Sequence, residues 1–433
     1  MNAHAHPAAP VPPARRPPLM PLDEALARLL GTVTPLVAVD TVSTFEADGR
    51  VLAEDLVSPL QVPAQDNSSM DGYAVRAADV THAGVVLRVS QRIAAGDVGH
   101  VLEPGTAARI FTGAPLPDGA DTVVMQEDTE AVGGDVHAVR IHVIPAAGQW
   151  IRRAGDDVRQ GAVVLARGAR LAPAALGLAA SMGMSHLRVA ARPRVALFST
   201  GDELVMPGEV SPLDMPPGAI YNANRFFLRA LLHRLGCEVS DLGIVPDRRE
   251  ATVAALKTAA DHHDLILTSG GVSVGEEDHV KPAVQQLGAL DLWQIAIKPG
   301  KPFAHGWVRR DAGVGTDRLG DCHFIGLPGN PVSSFITFLL LVRPFLLALQ
   351  GAHETLPKSI ALPAHFTLEK GDKRREFLRV QRDATGGLAL FPNQSSSVLT
   401  SMVWGDGVVD NPPGNAIAYG QAVSFIPFSE LLS

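Results

Sequence analysis

The fold is decided by residues 265–287, which read LILTSGGVSVGEEDHVKPAVQQL. The short run Leu265–Thr268 predicts a buried strand, because three of its four residues are apolar and two of them, Ile266 and Thr268, are β-branched. It ends in Ser269-Gly270-Gly271, and helical spacing resumes over Asp278–Leu287. A buried strand, a glycine-rich turn and a helix form the repeating unit of a parallel α/β sheet.

The same alternation continues on both sides of this stretch. It predicts further strands at Val195–Ser199, Glu238–Val245, Leu292–Ile297, Phe303–Trp307 and His323–Leu327. It predicts helices over Asn222–Leu235, over Arg248–Ala260 and from Pro331 onward. Residues 192–350 are therefore expected to form a doubly wound, parallel α/β domain.

The flanking regions have different rhythms. Residues 61–150 predict a β-rich domain, with strands at Val85–Val89, Ala108–Phe111, Thr122–Gln126 and Val139–Ile144. The helical patterns at Leu22–Leu30, residues 45–57 and Ala172–Met182 suggest one domain, residues 21–60 plus 151–191, split by that insertion. Residues 357–433 predict a small all-β domain, with strands at Ser359–Leu362, Phe377–Gln381 and Ala422–Ile426. Residues 1–20 are expected to be a disordered leader.

Composition narrows the class of protein. A formal net charge of -8 argues against a protein that coats nucleic acid, which requires a basic surface. The chain has only two cysteines, Cys237 and Cys322, so a reducing cytoplasm is the expected location. The most apolar run, Val332–Leu349, contains Arg343 and Pro344 and is shorter than the roughly 20 residues of a membrane span. It is predicted to be a buried core helix, and no membrane partner is expected.

Ligands of doubly wound sheets bind outside the carboxyl ends of the strands. Three loops are predicted to meet there: Ser199–Glu203, Ser269–Gly275 and Gly326–Pro331. Their glycines let backbone N–H groups approach a phosphate closely. Between the last two loops, the two prolines and the glycine of Lys298-Pro299-Gly300-Lys301-Pro302 fix the backbone and hold two lysines close together. That arrangement favours a local anion site in an acidic protein.

Carboxylates are predicted at the same edge of the sheet, at Asp202, Glu203, Glu276, Glu277 and Asp278. Beside a phosphate they would require a cation, usually Mg²⁺, or they would orient ring nitrogens and hydroxyls of a ligand. For each acid alone, a favourable charge at a helix N-terminus is an equally good interpretation.

The segments taken together resemble the molybdopterin molybdenumtransferases, the bacterial MoeA-type relatives of the E domain of gephyrin. The match extends from about residue 19 to the C-terminus. The matching segments, in family order, are Asp66–Arg76, Phe111–Pro117, Ile151–Val158, Ser199–Leu204, Tyr221–Arg225, Thr268–Asp278, Ala296–Phe303 and Gly326–Ser334.

The resemblance implies a multidomain chain with a split elongated domain, an inserted β-rich domain, a molybdopterin-binding α/β domain and a C-terminal β-barrel. It implies that molybdate is inserted into adenylylated molybdopterin with release of AMP, with Mg²⁺ as cofactor. It further implies a homodimer and a functional link to the molybdopterin adenylyltransferase.

Site residues are carried over from the same resemblance. It implies catalytic roles for Asp66, Thr112, Asp157, Glu203, Asp247 and Asp278, the last two as metal ligands. It implies substrate binding by Ser269, Gly270, Gly271, Ser273, Lys298, Lys301, Pro328, Gly329, Asn330, Pro331, Arg379 and Ser396. Lys298, Lys301 and Arg379 would hold molybdate.

Three alternatives remain open. A pyrophosphohydrolase of the competence-damage family shares the α/β domain, but it has no need of Asp66–Arg76 and Thr112–Pro117. A non-catalytic scaffold is favoured only by Gln294, where a basic residue is frequent, and by an altered serine loop around Ser396. A tungstate-preferring enzyme would have nearly the same sequence, because the two oxyanions match in charge and nearly in size.

Overall fold

A computed structural model describes residues 18–133, 137–246, 248–271, 279–311 and 320–432. The chain forms two compact units. The small unit comprises Thr41–Asp48 and Leu52–Val189, and the large unit comprises the rest of the described chain.

The large unit contains a six-stranded mixed sheet. Its strands, in spatial order, are Glu238–Ile244, Arg194–Ser199, Leu265–Ser269, Cys322–Leu327, Pro302–Val308 and Gly288–Gln294. The first four strands are parallel and the last two are antiparallel to their neighbours. The helices are Ala223–Arg234, Arg249–His262, Val280–Leu287, Pro331–Thr337 and Arg343–Leu349.

Helices cover both faces of this sheet, because successive side chains of a strand point to opposite faces. Val195 and Leu197 pack with Leu228 of helix Ala223–Arg234. Ala196 and Phe198 alternate with them along the strand and pack on the other face, against helices Arg249–His262 and Val280–Leu287. The prediction of a doubly wound α/β domain is confirmed.

The prediction that all strands are parallel is wrong for Gly288–Gln294 and Pro302–Val308, which pair antiparallel. A parallel connection needs a crossover of a dozen or more residues, and only residues 295–301 separate these strands. The predicted strand Leu292–Ile297 is likewise divided, since Ile297–Lys298 pairs with Arg375–Arg382 of the C-terminal region.

The apolar segment after Asn330 is an interior helix. Pro331–Thr337 and Arg343–Leu349 are α-helical and flank a π-helical turn, Phe338–Val342. Among the described residues, Pro331–Leu349 is the one segment long and apolar enough to cross a membrane, and 89% of its most apolar window is buried inside the chain. The prediction of a core helix is therefore confirmed. Helix Leu22–Leu30 packs on the same core through Leu22, Ala25 and Leu29.

The C-terminal strands form a small barrel in the large unit. In order of pairing they are Ile297–Lys298, Arg375–Arg382, Gly407–Asn411, Ala422–Pro427 and Ile360–Pro363, and Leu388–Leu390 also pairs with Arg375–Arg382. A bridge between Ala364 and Leu388 closes the sheet on itself. Short helices Thr400–Trp404 and Phe428–Leu432 accompany it.

The small unit is built around a second six-stranded sheet. Its strands, in order, are Thr122–Met125, Gly72–Val75, Thr106–Ile110, Val85–Ile93, Ala138–Ile141 and Thr129–Val132. Shorter strand pairs join Leu56–Val57 to Val163–Leu165 and Asn67–Ser68 to Ile151–Arg152. Further elements of the small unit are helix Pro173–Ser181 and 3-10 turns at Thr44–Glu46, Ala77–Asp79 and Gln126–Asp128. The strands Val39–Ser43 and His186–Ala190 have residues in both units.

The helical interpretation of residues 45–57 is wrong. Only the 3-10 turn Thr44–Glu46 forms there, before the strand Leu56–Val57. The chain turns at Asp48-Gly49, where Gly49 has a φ of 71°, a left-handed conformation that ends a right-handed helix.

Candidate active site

A cleft of about 690 Å³ lies at the carboxyl ends of the parallel strands. Ser199, Ser269 and Leu327 end three neighbouring strands in register, so their loops emerge side by side. The cleft is lined by Thr200, Glu203, Leu204, Ile220, Tyr221, Asn222, Ala223, Asn224, Ser269, Gly270, Gly271, Pro302, Pro328, Gly329, Asn330, Pro331, Ser333 and Ser397. The structure thus brings Glu203 together with seven of the predicted substrate-binding residues.

Backbone conformation at two of these glycines exposes main-chain atoms to the cleft. Gly270 has a φ of 92° and Gly271 a φ of 66°, both in the left-handed region. A Cβ on Gly270 would lie 3.0 Å from the Thr200 carbonyl oxygen. The turn therefore requires glycine, which suits close approach of a phosphate to backbone N–H groups.

Asn224 joins two of the loops and was not predicted as a site residue. Its Nδ2 donates to Ser269 Oγ at 2.7 Å and to the Gly329 carbonyl oxygen at 2.7 Å. The segment Tyr221–Arg225 matched the family pattern, but nothing in its sequence says which side chain reaches across the cleft. That contact depends on the packing of helix Ala223–Arg234 beside the strand ends.

A second cavity of about 310 Å³ adjoins the cleft, and Pro302, Asn330 and Ser333 line both. We call it the oxyanion pocket. Its remaining lining residues are Lys298, Pro299, Gly300, Lys301, Arg374, Gln394, Ser395 and Ser396. Asn330 lies at the N-cap position of helix Pro331–Thr337, yet its side chain caps no backbone N–H within the described chain. That side chain is consequently available to both cavities.

The two lysines of the oxyanion pocket differ in their partners. Lys298 Nζ lies 3.0 Å from Glu376 Oε1 and 3.3 Å from Asp372 Oδ2. Lys301 has no ion pair with any residue that the structure describes. Of the two lysines, Lys301 is therefore the one that no described carboxylate neutralises.

Arg379 lies behind the oxyanion pocket and does not line it. Its side chain is 1% exposed and donates to the Phe377 carbonyl oxygen at 3.1 Å and to the Ser395 carbonyl oxygen at 3.3 Å. Burial lowers the pKa of its guanidinium to about 10, so it stays protonated at neutral pH. The guanidinium thus holds the loop that carries Ser395 and Ser396 from behind, and a direct contact of Arg379 with the oxyanion stays a prediction.

The predicted residues Asp66 and Thr112 belong to the small unit. Asp66 accepts hydrogen bonds from the Ala154 N–H at 2.9 Å and from Arg153 Nη1 at 2.6 Å, and these bonds lower the pKa of its carboxyl. The Thr112 N–H and Oγ both donate to Asp71 Oδ1 at 2.8 Å. Asp71, which was not predicted, thus fixes the direction of the Thr112 hydroxyl.

Asp157 is exposed and lies in the same loop as Arg153. Its backbone N–H donates to the Val62 carbonyl oxygen at 3.0 Å. Asp247, Ser273 and Asp278 lie outside the described residues. Within the described ranges, no group of three or more His, Cys, Asp or Glu side chains could hold a metal ion.

The fold and the two adjoining cavities define a multidomain protein with a glycine-lined cleft at the carboxyl edge of an α/β sheet and a lysine-lined pocket beside it. Three domain families match the chain: the MoeA N-terminal region (domain I and II) over residues 20–183, a probable molybdopterin binding domain over 196–348, and the MoeA C-terminal region (domain IV) over 361–428.

Individual relatives cover nearly the whole chain. A molybdopterin molybdenumtransferase of Haemophilus influenzae is 37% identical over 96% of this chain and 100% of its own length. One from Synechococcus elongatus is 37% identical over 88% and 92%. Two crystal structures of a molybdopterin biosynthesis MoeA protein from Pyrococcus horikoshii cover 95% of this chain and 99% and 100% of their own. They have TM-scores of 0.72 and 0.80 and identities of 30% and 27%.

This chain belongs to the molybdopterin molybdenumtransferase family. The predicted family, fold class and enzymatic function in molybdenum cofactor biosynthesis are confirmed.

Proposed function

We propose that this enzyme transfers molybdenum from molybdate to adenylylated molybdopterin and releases AMP. The observation that carries the proposal is the pair of adjoining cavities, one lined by glycine-rich loops and the other by Lys298 and Lys301. The pterin-bearing ligand would occupy the larger cleft and the oxyanion the smaller pocket. Because Pro302, Asn330 and Ser333 line both cavities, the two ligands would lie next to each other.

Each cavity supplies different chemistry. Backbone N–H groups at Ser269–Gly271 and around Gly329 would bind the phosphate groups of the ligand. Lys301, together with Ser395 and Ser396, would hold the tetrahedral oxyanion by charge-assisted hydrogen bonds. A water molecule adds to the phosphorus of the phosphoanhydride as AMP leaves. The two dithiolene thiols then bind molybdenum, and their two protons leave with one molybdate oxygen as water, so that no redox partner is required. No protein nucleophile is needed, since the protein positions the reactants and balances their charge.

Magnesium dependence is a separate part of the proposal. The described part of the cleft contributes one carboxylate, that of Glu203, and a single carboxylate does not make a magnesium site. Asp247 and Asp278, the two predicted metal ligands, lie outside the described residues, so no step is assigned to the metal. Loss of AMP release on chelation with EDTA, restored by MgCl₂, is the expected result.

The remaining proposals concern the setting of the enzyme. We infer a homodimer that accepts its substrate from the molybdopterin adenylyltransferase in the cytoplasm. Both cysteines are free and buried, which suits a reducing compartment. Sedimentation velocity would test the dimer, and a single monomeric species at micromolar concentration would refute it.

The reaction itself is tested with purified protein, adenylylated molybdopterin, MgCl₂ and molybdate, with AMP measured by liquid chromatography. Molybdate-dependent release of AMP is expected. Lys301→Ala should reduce it strongly. Lys257→Ala, at an exposed lysine paired with Asp311, serves as the matched control and should not. AMP release that does not depend on molybdate or tungstate would refute molybdenum transfer and favour a pyrophosphohydrolase.

A further inference from the structure

Two cations of the oxyanion pocket are already neutralised in part by one carboxylate. Asp372 Oδ1 accepts from Arg374 Nε at 3.0 Å, and Asp372 Oδ2 accepts from Arg374 Nη2 at 3.1 Å. The same Oδ2 lies 3.3 Å from Lys298 Nζ. These bonds from Arg374 hold the pKa of the Asp372 carboxyl well below its usual range, so it is ionised at neutral pH.

The carboxylate contacts these cations from outside the pocket. Lys298 and Arg374 line the oxyanion pocket and also a neighbouring cavity of about 530 Å³. Asp372 lines only the neighbouring cavity, together with Lys370 and Lys373. An oxyanion in the pocket and the Asp372 carboxylate would therefore share the same two cations without occupying the same space.

Glu376, the second acid near Lys298, is buried and hydrogen-bonded inside the barrel. It is 3% exposed and accepts from the Asp372 N–H at 3.0 Å and from Asn411 Nδ2 at 3.3 Å. These bonds make it part of the barrel interior. Asp372, whose side chain is 23% exposed, is the acid whose charge can be removed while the fold is kept.

We propose that Asp372 is an affinity-setting residue of the oxyanion pocket: it holds Lys298 and Arg374 in place and weakens the attraction of both for an incoming oxyanion. The inference rests on the proposed oxyanion pocket. An oxyanion competes with Asp372 for the N–H donors of Lys298 and Arg374, and a fixed negative charge opposes any anion nearby. Lys301 then supplies the one cation without a carboxylate partner among the described residues. Such a pocket binds molybdate reversibly and gives it up for transfer.

The test measures molybdate binding to the full-length protein by isothermal titration calorimetry at low ionic strength. Asp372→Asn removes the charge but keeps an oxygen that accepts from Arg374, so the cations stay in place. We expect molybdate to bind about two- to tenfold more tightly to this variant, since one screened charge near a dianion has an effect of that order. Raising the salt concentration should shrink the difference between variant and unsubstituted protein.

The matched control is Asp406→Asn. Asp406 Oδ2 lies 3.5 Å from Arg382 Nε, at the opposite end of strand Arg375–Arg382. This substitution changes the net charge by the same amount as Asp372→Asn. Its molybdate affinity should equal that of the unsubstituted protein. An equal tightening in both variants would show a general charge effect and overturn the inference.

Two further outcomes separate the inference from the proposal on which it rests. Weaker or unchanged molybdate binding by Asp372→Asn, with normal binding by the unsubstituted protein and an unchanged melting temperature, would overturn the role of Asp372 alone. Absence of molybdate binding by the unsubstituted protein would overturn the oxyanion pocket and, with it, this inference.

Discussion

Asn224→Ala should separate two loops of the cleft at a small cost in stability and a large cost in activity. The substitution removes two hydrogen bonds of 2.7 Å, to Ser269 Oγ and to the Gly329 carbonyl oxygen. Each neutral bond contributes about 1 kcal/mol net, so the free energy of unfolding should fall by about 2 kcal/mol. A shift of the phosphate-binding loops on the order of 1 Å should lower kcat/KM for AMP release roughly 10- to 100-fold.

The assay is AMP release with adenylylated molybdopterin varied at saturating molybdate, alongside thermal unfolding. Asn224→Asp should lower kcat/KM for AMP release more than Asn224→Ala does, because a carboxylate cannot donate to the Gly329 carbonyl oxygen and repels a phosphate. Gln286→Ala is the matched control. It also removes a side-chain amide, whose Oε1 accepts a 3.0 Å hydrogen bond from Arg249 Nη2, but at another place in the α/β domain. If Asn224→Ala lowered the melting temperature yet left kcat/KM within about twofold of the unsubstituted enzyme, the bridge would be structural only.

Four further outcomes are expected. Lys301→Ala should weaken molybdate binding about 10- to 100-fold by calorimetry, because charge-assisted hydrogen bonds contribute about 1.5–3 kcal/mol, while binding of molybdopterin is unchanged. Gly300→Ala should reduce molybdate affinity and the melting temperature together, because Gly300 has a φ of 109° and a Cβ there would clash with Thr337 Oγ1. Hydrogen bonds from Thr112 lower the pKa of Asp71, so the ionised carboxylate stabilises the fold above pH 3.8 and this stability is lost as the pH falls further. The difference in melting temperature between Asp71→Asn and the unsubstituted protein should therefore shrink below pH 3.8. Burial lowers the pKa of His305 from 6.5 to about 4, so about 3 kcal/mol of stability is lost as the pH falls through that window. The free energy of unfolding in urea should therefore depend less on pH between 6.5 and 4 for His305→Phe than for the unsubstituted protein.

Much of the α/β domain could be predicted from local pattern. The run Leu265–Thr268 and the observed strand Leu265–Ser269 differ by one residue, and the three loops that were expected to meet do line one cleft. Short apolar runs between turn residues favour strands wherever they occur, so their existence follows from the chain itself. Their direction does not. The antiparallel strands Gly288–Gln294 and Pro302–Val308 look like parallel ones in sequence.

The site was predicted less completely than the fold. The family resemblance pointed to Lys298 and Lys301 alike, yet the structure pairs one with two acids and leaves the other without an ion pair among the described residues. Arg379, which is predicted to contact the oxyanion, lies behind the loop of Ser395 and Ser396, and no pattern in the sequence indicates that burial. Asn224 and Asp71 were missed because each acts on a partner distant in sequence, and single residues carry no signal of such partners.

The sequence by itself determined the kinds of elements, the glycine-rich turns after the strands and the rigid turn that carries the two lysines. All of these follow from backbone preferences over a few neighbouring residues. Tertiary structure alone decided which polar groups meet: it placed Asp372 beside Lys298, Asp71 beside Thr112 and Asn224 between Ser269 and Gly329. Those contacts join residues far apart in the chain, so they exist only once sheet register and helix packing have set their distances.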